Sequence, residues 1–281
     1  MITDNLTNRV YFSSILPKKC PALNARLTDA LQQHDIPFAY LSGTKDIWCR
    51  DFMPIQMEED RFVFYKYTPN YLQDNYGLQL QTNPMEVFQT ESNQLHPILQ
   101  NALSLDLVLD GGNVAKCGNK IVMTDKVFVE NKDKSATEVQ RLLEEAFRCE
   151  VVFIPWDSKG EPYGHSDGII HYLGDNRVLM TNYPDFDQAL AHDYLQILEK
   201  HFDVTTLKYK VNITDKNSWA YINFLQVGHL VFVPQLGIPE DEQALEQINN
   251  VMPDCDVVGI PALEAVRRGG ALNCISWNIE A

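Results

Sequence analysis

Basic residues are scarce. The 281-residue chain has 23 lysines and arginines against 38 aspartates and glutamates, a formal net charge of −15 with histidine neutral. Nucleic acids and anionic membranes call for a basic patch that displaces counterions, so this balance argues against both as partners. It permits a cationic small molecule without requiring one, because acidic surfaces also serve solubility. Long apolar runs are missing as well. No stretch approaches the roughly eighteen apolar residues of a membrane span, and MITDNLTNRV lacks the basic-then-apolar pattern of a signal peptide. The six cysteines, Cys20, Cys49, Cys117, Cys149, Cys255 and Cys274, include no C-x-x-C pair. They read as free thiols of a reducing compartment, which makes the expected location cytoplasmic. Neither His34, His96, His171, His192, His201 nor His229 has metal-ligand spacing, so no metal is expected and these histidines take solvated or capping roles.

No Pro/Gly/Ser-rich linker divides the chain, and 45% hydrophobic with 22% charged residues describes a globular protein. What the chain does contain is a recurring element order: two short strands, an amphipathic helix, then a strongly apolar strand. In one copy IIHYL and RVLMTNY flank the turn Gly174-Asp175-Asn176, followed by helical DQALAHDYLQILEKHF and strand VTTLKYK. In another, WAYINFLQV and HLVFVPQ precede a helix from Pro239-Glu240-Asp241 and the strand DVVGI. NVAKC and KIVMTD precede a helix whose start is set by a capping box, Ser135 with Glu138, and then EVVFIP. WCRDFMPIQ and RFVFYKY precede an insert, a helix near Ser92–Leu103 and LDLVL. The fifth copy is split, C-terminal LNCISWNI pairing with N-terminal RVYFSSIL ahead of the helix CPALNARLTDALQQH and the strand PFAYL. A ring closed by joining its ends removes exposed strand edges. The expected fold is therefore an α/β propeller of five ββαβ-like modules with pseudo-fivefold symmetry, one domain over residues 1–281.

Four modules open on residues too specific for generic strands. These are Asp46-Ile-Trp48-Cys-Arg50-Asp51, Asp110-Gly-Gly112-Asn113, Gly164-His165-Ser-Asp167-Gly168 and Gly269-Gly270-Ala-Leu-Asn273-Cys274. In a closed ring, equivalent strand starts converge on one end of the axis. Cys274 is the candidate nucleophile, and its thiolate needs a base or a positive neighbour. His165 is the candidate acid/base. On a strand it would share a face with Asp167 two residues on. Asp51 and Asp167 supply carboxylates, whose fork geometry suits a planar guanidinium, and Trp48 could wall the pocket by stacking.

These motifs, with the phrase WAYINFLQVGHLVFVPQ, resemble the agmatine deiminase / bacterial peptidylarginine deiminase family, in the family's order and over residues 46 to 278. The resemblance implies the five-module pentein fold of the guanidino-group-modifying enzymes, with no metal or organic cofactor. It implies that Cys274 attacks a guanidinium carbon and that Asp51 and Asp167 hold the guanidinium nitrogens. His165 would protonate departing ammonia and then activate water, with Asp110 orienting it. Trp48, Asp46, Arg50, Gly112, Asn113, Gly270 and Asn273 are the expected substrate-binding residues. Agmatine, giving N-carbamoylputrescine and ammonia, is the leading small cationic substrate. Arginine, other alkylguanidines and peptidyl-arginine are alternatives, and a homodimer is left open. Three positions depart from the family pattern: Asp110 replaces a glutamate, Met53-Pro54 replaces Gly-Pro, and R-G-G-A-L-N-C replaces G-G-G-N-I-H-C, so that Ala271 and Asn273 stand for an asparagine and a histidine.

Three other readings compete. Gly164-His-Ser166-Asp-Gly168 matches the G-x-S-x-G nucleophile elbow, which must end a strand and open a helix, yet β-branched IIHYL follows it here. The scaffold could serve binding alone, and the joint presence of Cys274, His165, Asp51 and Asp167 argues against that. An amidinotransferase would keep the covalent chemistry but release no ammonia.

Overall fold

A computed structural model describes residues 1–95, 97–98 and 102–281 of the chain. Five three-stranded sheets follow one another, each built as an antiparallel pair whose second strand also pairs, in parallel, with a third strand reached through a helical connection. Strand β1 (Arg9–Ser13) runs parallel to β2 (Phe38–Leu41) across the helix Pro21–Gln33. The second sheet is β3 (Ile55–Glu58), β4 (Arg61–Lys66) and β5 (Leu103–Val108). The third is β6 (Ala115–Cys117), β7 (Lys120–Thr124) and β8 (Glu150–Ile154), with the helix Ala136–Phe147. The fourth is β9 (Ile170–Gly174), β10 (Arg177–Met180) and β11 (Asp203–Thr206), with Gln188–Leu198. The fifth is β12 (Leu225–Val227), β13 (Leu230–Gln235) and β14 (Asp256–Pro261), with Glu240–Val251.

The last strand, β15 (Ser276–Ile279), completes the first sheet by pairing antiparallel to β1, from Arg9↔Ile279 to Phe12↔Ser276. Side chains reinforce this closure. Asn8 exchanges two hydrogen bonds with the Ala281 backbone at 3.0 and 2.9 Å, and Asn278 donates to Thr7 Oγ1 at 3.0 Å and to the Gln226 carbonyl at 2.9 Å. Trp277 ties the closing sheet to the second. Its ring meets Tyr11, Phe62 and Phe88 at centroid distances of 5.2, 6.1 and 5.9 Å, and its indole N–H donates to the Pro54 carbonyl at 2.9 Å. A buried tryptophan so placed contributes about 3–5 kcal/mol against alanine.

Helix starts follow local chemistry. Ser135 Oγ accepts from the Glu138 N–H at 3.2 Å, and Asp187 caps Leu190 at 2.9 Å. The helix expected near Ser92–Leu103 is not there among the described residues. The second sheet's connection instead carries the short helices Gly77–Leu80 and Pro84–Gln89. Asn83 caps the latter by accepting from Met85, and Pro84 sits at its first turn, where a missing N–H is harmless. Glu91–Asn93 form a single 3-10 turn, ended by Gln94 in a left-handed conformation at φ 54°, and Leu103 already belongs to β5. His96 and residues 99–101 lie outside the described residues.

Candidate active site

Four of the five sheets are entered through a short helical turn rather than an extended strand. Cys49–Phe52 precedes β3, Gly111–Asn113 precedes β6, Ser166–Gly168 precedes β9 and Ser218–Ile222 precedes β12. The strand assignments expected for WCRD, for WAYI and for the start of LNCISWNI are corrected accordingly: the backbone turns at each of these places. Contacts between the turns run round the ring. Arg50 N donates to the Cys274 carbonyl at 3.1 Å. Gly111 packs against the Arg50 carbonyl, where any side chain would collide, and Tyr65 Oη, which donates to the Asp51 carbonyl at 2.7 Å, lies beside it. Ala115 N donates to Ser166 Oγ at 3.2 Å. Asn223 Nδ2 donates to the Asp167 carbonyl at 3.4 Å, and Asn273 N to the Asn223 carbonyl at 3.0 Å, which returns the circuit to Cys274.

That circuit brings Cys274, His165, Asp51, Asp110 and Asp167 into one buried cluster. Cys274 Sγ lies 3.7 Å from Asp167 Oδ2. Burial first, then the negative charges of Asp167 and Asp51, push its thiol well above the usual range. His165 is held at both ring nitrogens, Nε2 at 3.1 Å from Asp110 Oδ2 and Nδ1 at 3.7 Å from Asp51 Oδ1. Burial opposes its charge, but Asp51, the hydrogen bond to Asp110 and Asp167 outweigh burial and raise it to about 10. Burial raises the Asp51 carboxyl to about 8, against the pull of His165 and with Asp110 and Asp167 adding to the rise. One oxygen each of Asp51, Asp110 and Asp167 is buried without a hydrogen-bond partner among the described residues. Such oxygens are costly unless a donor reaches them, and a forked cation would satisfy several together.

Asp110 reaches His165 directly although its side chain is short. His165 and Asp167 do arrive together, yet not by strand alternation, since Ser166–Gly168 is a 3-10 turn. Ser166 is buried, its hydroxyl donating to the Val122 carbonyl at 2.9 Å and accepting from Ala115, and a strand follows its turn, so neither its contacts nor its context suit a nucleophile elbow.

Gly112 faces the cluster, since a methyl group there would lie 2.6 Å from His165 Nδ1 and 2.7 Å from Asp51 Oδ1. Trp48 is half-buried with its ring filling the space beside Gly270. Asp46 accepts from Trp48 N at 3.1 Å, and burial raises its carboxyl to about 7. Asn273 donates to Asp167 Oδ2 at 2.7 Å and accepts from Arg50 Nη2 at 2.8 Å. Arg50 also reaches Asn278 Oδ1 at 2.6 Å, so its guanidinium braces these two asparagines. Asn113 is turned to the Thr124 backbone, accepting from its N–H at 2.7 Å, rather than to the cluster. His171 is half-buried rather than freely solvated. It packs on Phe224 with ring centroids 3.9 Å apart and bonds Gln226 at 3.2 Å.

Sequence reasoning missed four residues at the site. Asn223 Oδ1 accepts from the Ala271 and Cys274 N–H groups at 3.2 and 3.3 Å, fixing the turn that carries Cys274. Lys126 donates to Asp110 Oδ2 at 2.9 Å. Tyr71 and Tyr163 meet edge to face at 5.0 Å, their rings 6.3 and 5.9 Å from that of His165.

Comparison with known proteins gives this cluster a context. The profile of the Porphyromonas-type peptidyl-arginine deiminase family matches residues 20–279. Putative agmatine deiminase 1 of Listeria monocytogenes is 26% identical over 213 residues, covering 62% of this chain. The putative agmatine deiminase of Enterococcus faecalis is 27% identical over 209 residues, or 61% of the chain. The chain spans only 58% and 57% of the length of these two relatives. Among solved structures, an agmatine deiminase from C. jejuni superposes over 100% of this chain and 95% of its own, with a TM-score of 0.73 and 17% identity. A dimethylarginine dimethylaminohydrolase superposes over 97% and 99%, with a TM-score of 0.64 and 13% identity. The five-module α/β propeller is thus the fold this chain shares with them.

Proposed function

The chain belongs to the Porphyromonas-type peptidyl-arginine deiminase family, and on that footing we propose that it hydrolyses a small cationic guanidine, with agmatine as the leading substrate, acting as one deiminase domain. The observation that carries this reading is the convergence of Cys274, His165, Asp51, Asp110 and Asp167 around carboxylate oxygens that lack donors among the described residues. The products are ammonia and a ureido compound, which for agmatine is N-carbamoylputrescine, a step of polyamine biosynthesis. A cytoplasmic site of action suits the free cysteines. No helix among the described residues is long and apolar enough to cross a membrane.

In this mechanism Asp51 and Asp167 accept hydrogen bonds from the guanidinium nitrogens. The arriving cation offsets the two charges that keep the Cys274 thiol protonated, and its proton is shed to solvent. The thiolate adds to the guanidinium carbon. The carbon–nitrogen bond then breaks as protonated His165 hands a proton to the leaving amino group, and a thiouronium ester remains. Now neutral, His165 takes a proton from water, the hydroxide adds to the same carbon, and the carbon–sulfur bond breaks to free the ureido product as the hydroxyl proton passes to the departing sulfur and restores the Cys274 thiol. Ammonia and the proton shed by Cys274 together account for the ammonium formed.

Ammonia release measured across agmatine, arginine and arginyl peptides tests the reading. Equimolar ammonia and ureido product from one of them supports it. No ammonia from any of them would overturn it, and loss of guanidine in the presence of an amine without ammonia would show amidino transfer instead. Within the same assay Gly112→Ala is expected to lower kcat about 100-fold, since a displacement near 1 Å of His165 or Asp51 suffices for that loss. An unchanged far-ultraviolet circular dichroism spectrum would separate this effect from misfolding.

A further inference from the structure

Lys126 is fully buried, and no covalent step above uses it. It opens the short helix Lys126–Glu130 just after β7. An ammonium is not buried without counter-charges, and two surround this one: Asp110 Oδ2 at 2.9 Å and Glu130 Oε1 at 3.2 Å. The face of Tyr71 covers it at 4.8 Å from the ring centroid. The oxygen of Asp110 that accepts from Lys126 is the same one that meets His165 Nε2 at 3.1 Å. The lysine stem also lies under the backbone that delivers His165. A side chain at Gly164, where φ is +67°, would collide with Lys126 Cδ, and the Gly164 carbonyl is tied to Thr124 Oγ1 at 2.7 Å.

We infer that Lys126 is a positioning residue for the proposed deiminase reaction: its ammonium keeps Asp110 an ionised acceptor aimed at His165 Nε2, which leaves Nδ1, on the Asp51 side, as the nitrogen that gives and takes protons. Neutral His165 then carries its proton on Nε2, and the working nitrogen faces the pocket in both charge states. The inference rests on the deiminase reading for its catalytic consequence, though not for the wiring itself.

The sign of the effect follows from the groups that face Asp110 and His165. Lys126 and Glu130 come from their short helix, Asp51 from the Cys49–Phe52 turn, and Asp167, Glu161 and Tyr163 from the loop carrying His165. Tyr65, Tyr67 and Tyr71 approach from β4 and the segment after it. Burial holds these last three tyrosines uncharged, their hydroxyls raised well above the usual range. Burial raises the Asp110 carboxyl, but the His165 hydrogen bond and the Lys126 charge prevail and hold it below the usual carboxylate range. Removing Lys126 therefore lets Asp110 take a proton at higher pH, and a protonated Asp110 no longer fixes the ring.

Carbon-13 NMR of carboxyl-labelled aspartate, with the Asp110 signal assigned through Asp110→Asn, reads this without any substrate. In Lys126→Met the Asp110 midpoint is expected to rise by about one pH unit or more, with no rise in Glu130→Gln, which removes an anion instead. The acid limb of kcat for ammonia release should move up with it, lowering kcat about tenfold at the foot of that limb while KM changes less than about threefold. If Lys126→Met fails to fold, the double variant Lys126→Met/Glu130→Gln, which conserves net charge, should show the same upward shift at smaller size. An Asp110 midpoint unmoved in the folded single or double variant would overturn the inference even if the wild type releases ammonia. A shifted midpoint in a protein that deiminates nothing would sink the deiminase reading and leave the wiring standing.

Discussion

Cys274→Ser is expected to abolish turnover, by about 10⁴-fold or more, with the fold and the affinity for guanidine intact. The substitution is nearly isosteric, and the main-chain bond from residue 274 to Asn223 Oδ1 remains. What changes is the ease of making an anion. Burial, followed by Asp167 and Asp51, already pushes the Cys274 thiol well above its usual range. An alcohol starts far higher still, beyond what a bound guanidinium can recover. The same reasoning predicts a contrast between alkylating reagents. A cationic haloacetamidine would neutralise the two carboxylates as it docks and is expected to alkylate Cys274 at least about 100-fold faster than neutral iodoacetamide, the rate equivalent of lowering the thiol by about two pH units. Equal rates for the two reagents, or a Cys274→Ser variant that keeps releasing ammonia, would remove the carboxylate-controlled thiol from the mechanism.

The control of that thiol depends on residues whose legibility in the sequence differed. The modules could be read because each interior strand and each amphipathic helix carries its own periodicity. Even the split sheet was readable, since LNCISWNI and RVYFSSIL are strand-like ends in need of a partner. Cys274, His165, Asp51, Asp110 and Asp167 stood out because polar groups and glycines interrupt apolar patterns at the same place in successive modules. The route by which they converge was not readable. His165 and Asp167 suggested strand alternation, whereas a 3-10 turn presents both. Asn223 was hidden within WAYINFLQV, a run whose composition reads as strand and whose first half folds as a 3-10 turn. Lys126 follows an aspartate at the end of a hairpin and looks like any solvated lysine. Its burial depends on Asp110, sixteen positions away. Tyr71 and Tyr163 sit in connecting segments with no periodicity, where only tertiary packing decides their placement. Among the described residues the helix expected near Ser92–Leu103 is absent for a local reason: Asn83 and Pro84 start a helix earlier, and Gln94 stops the next turn.

Asp51→Asn is expected to lower kcat/KM about 1000-fold at the optimum pH and to reshape the pH profile. In the proposed mechanism Asp51 serves both the substrate and His165, whose Nδ1 is 3.7 Å from its Oδ1. An amide there retains the shape but presents an NH2 group or a neutral oxygen to a buried guanidinium. Losing one desolvated charge partner of this kind costs about 2–5 kcal/mol, of which 4 kcal/mol corresponds to about 10³ in rate. The pH dependence carries a sign that merely weakened binding would not reproduce. The proposed mechanism requires Asp51 ionised and His165 protonated in the free wild-type protein. The carboxyl at about 8 and the imidazole at about 10 then frame a bell in kcat/KM that rises toward about 8 and falls beyond about 10. Below the first limb Asp51 holds a proton that guanidinium must expel, so binding near neutrality releases a proton, measurable by calorimetry in two buffers of different ionisation enthalpy. In Asp51→Asn the acid limb attributed to Asp51 should vanish. The basic limb should move to lower pH, because after burial, which opposes its charge, Asp51 is the largest influence on His165 and the one that most raises it. Retention of both limbs at their wild-type positions would mean that neither group titrates as the buried cluster requires, and the Asp51–His165 pair would lose its place in the mechanism.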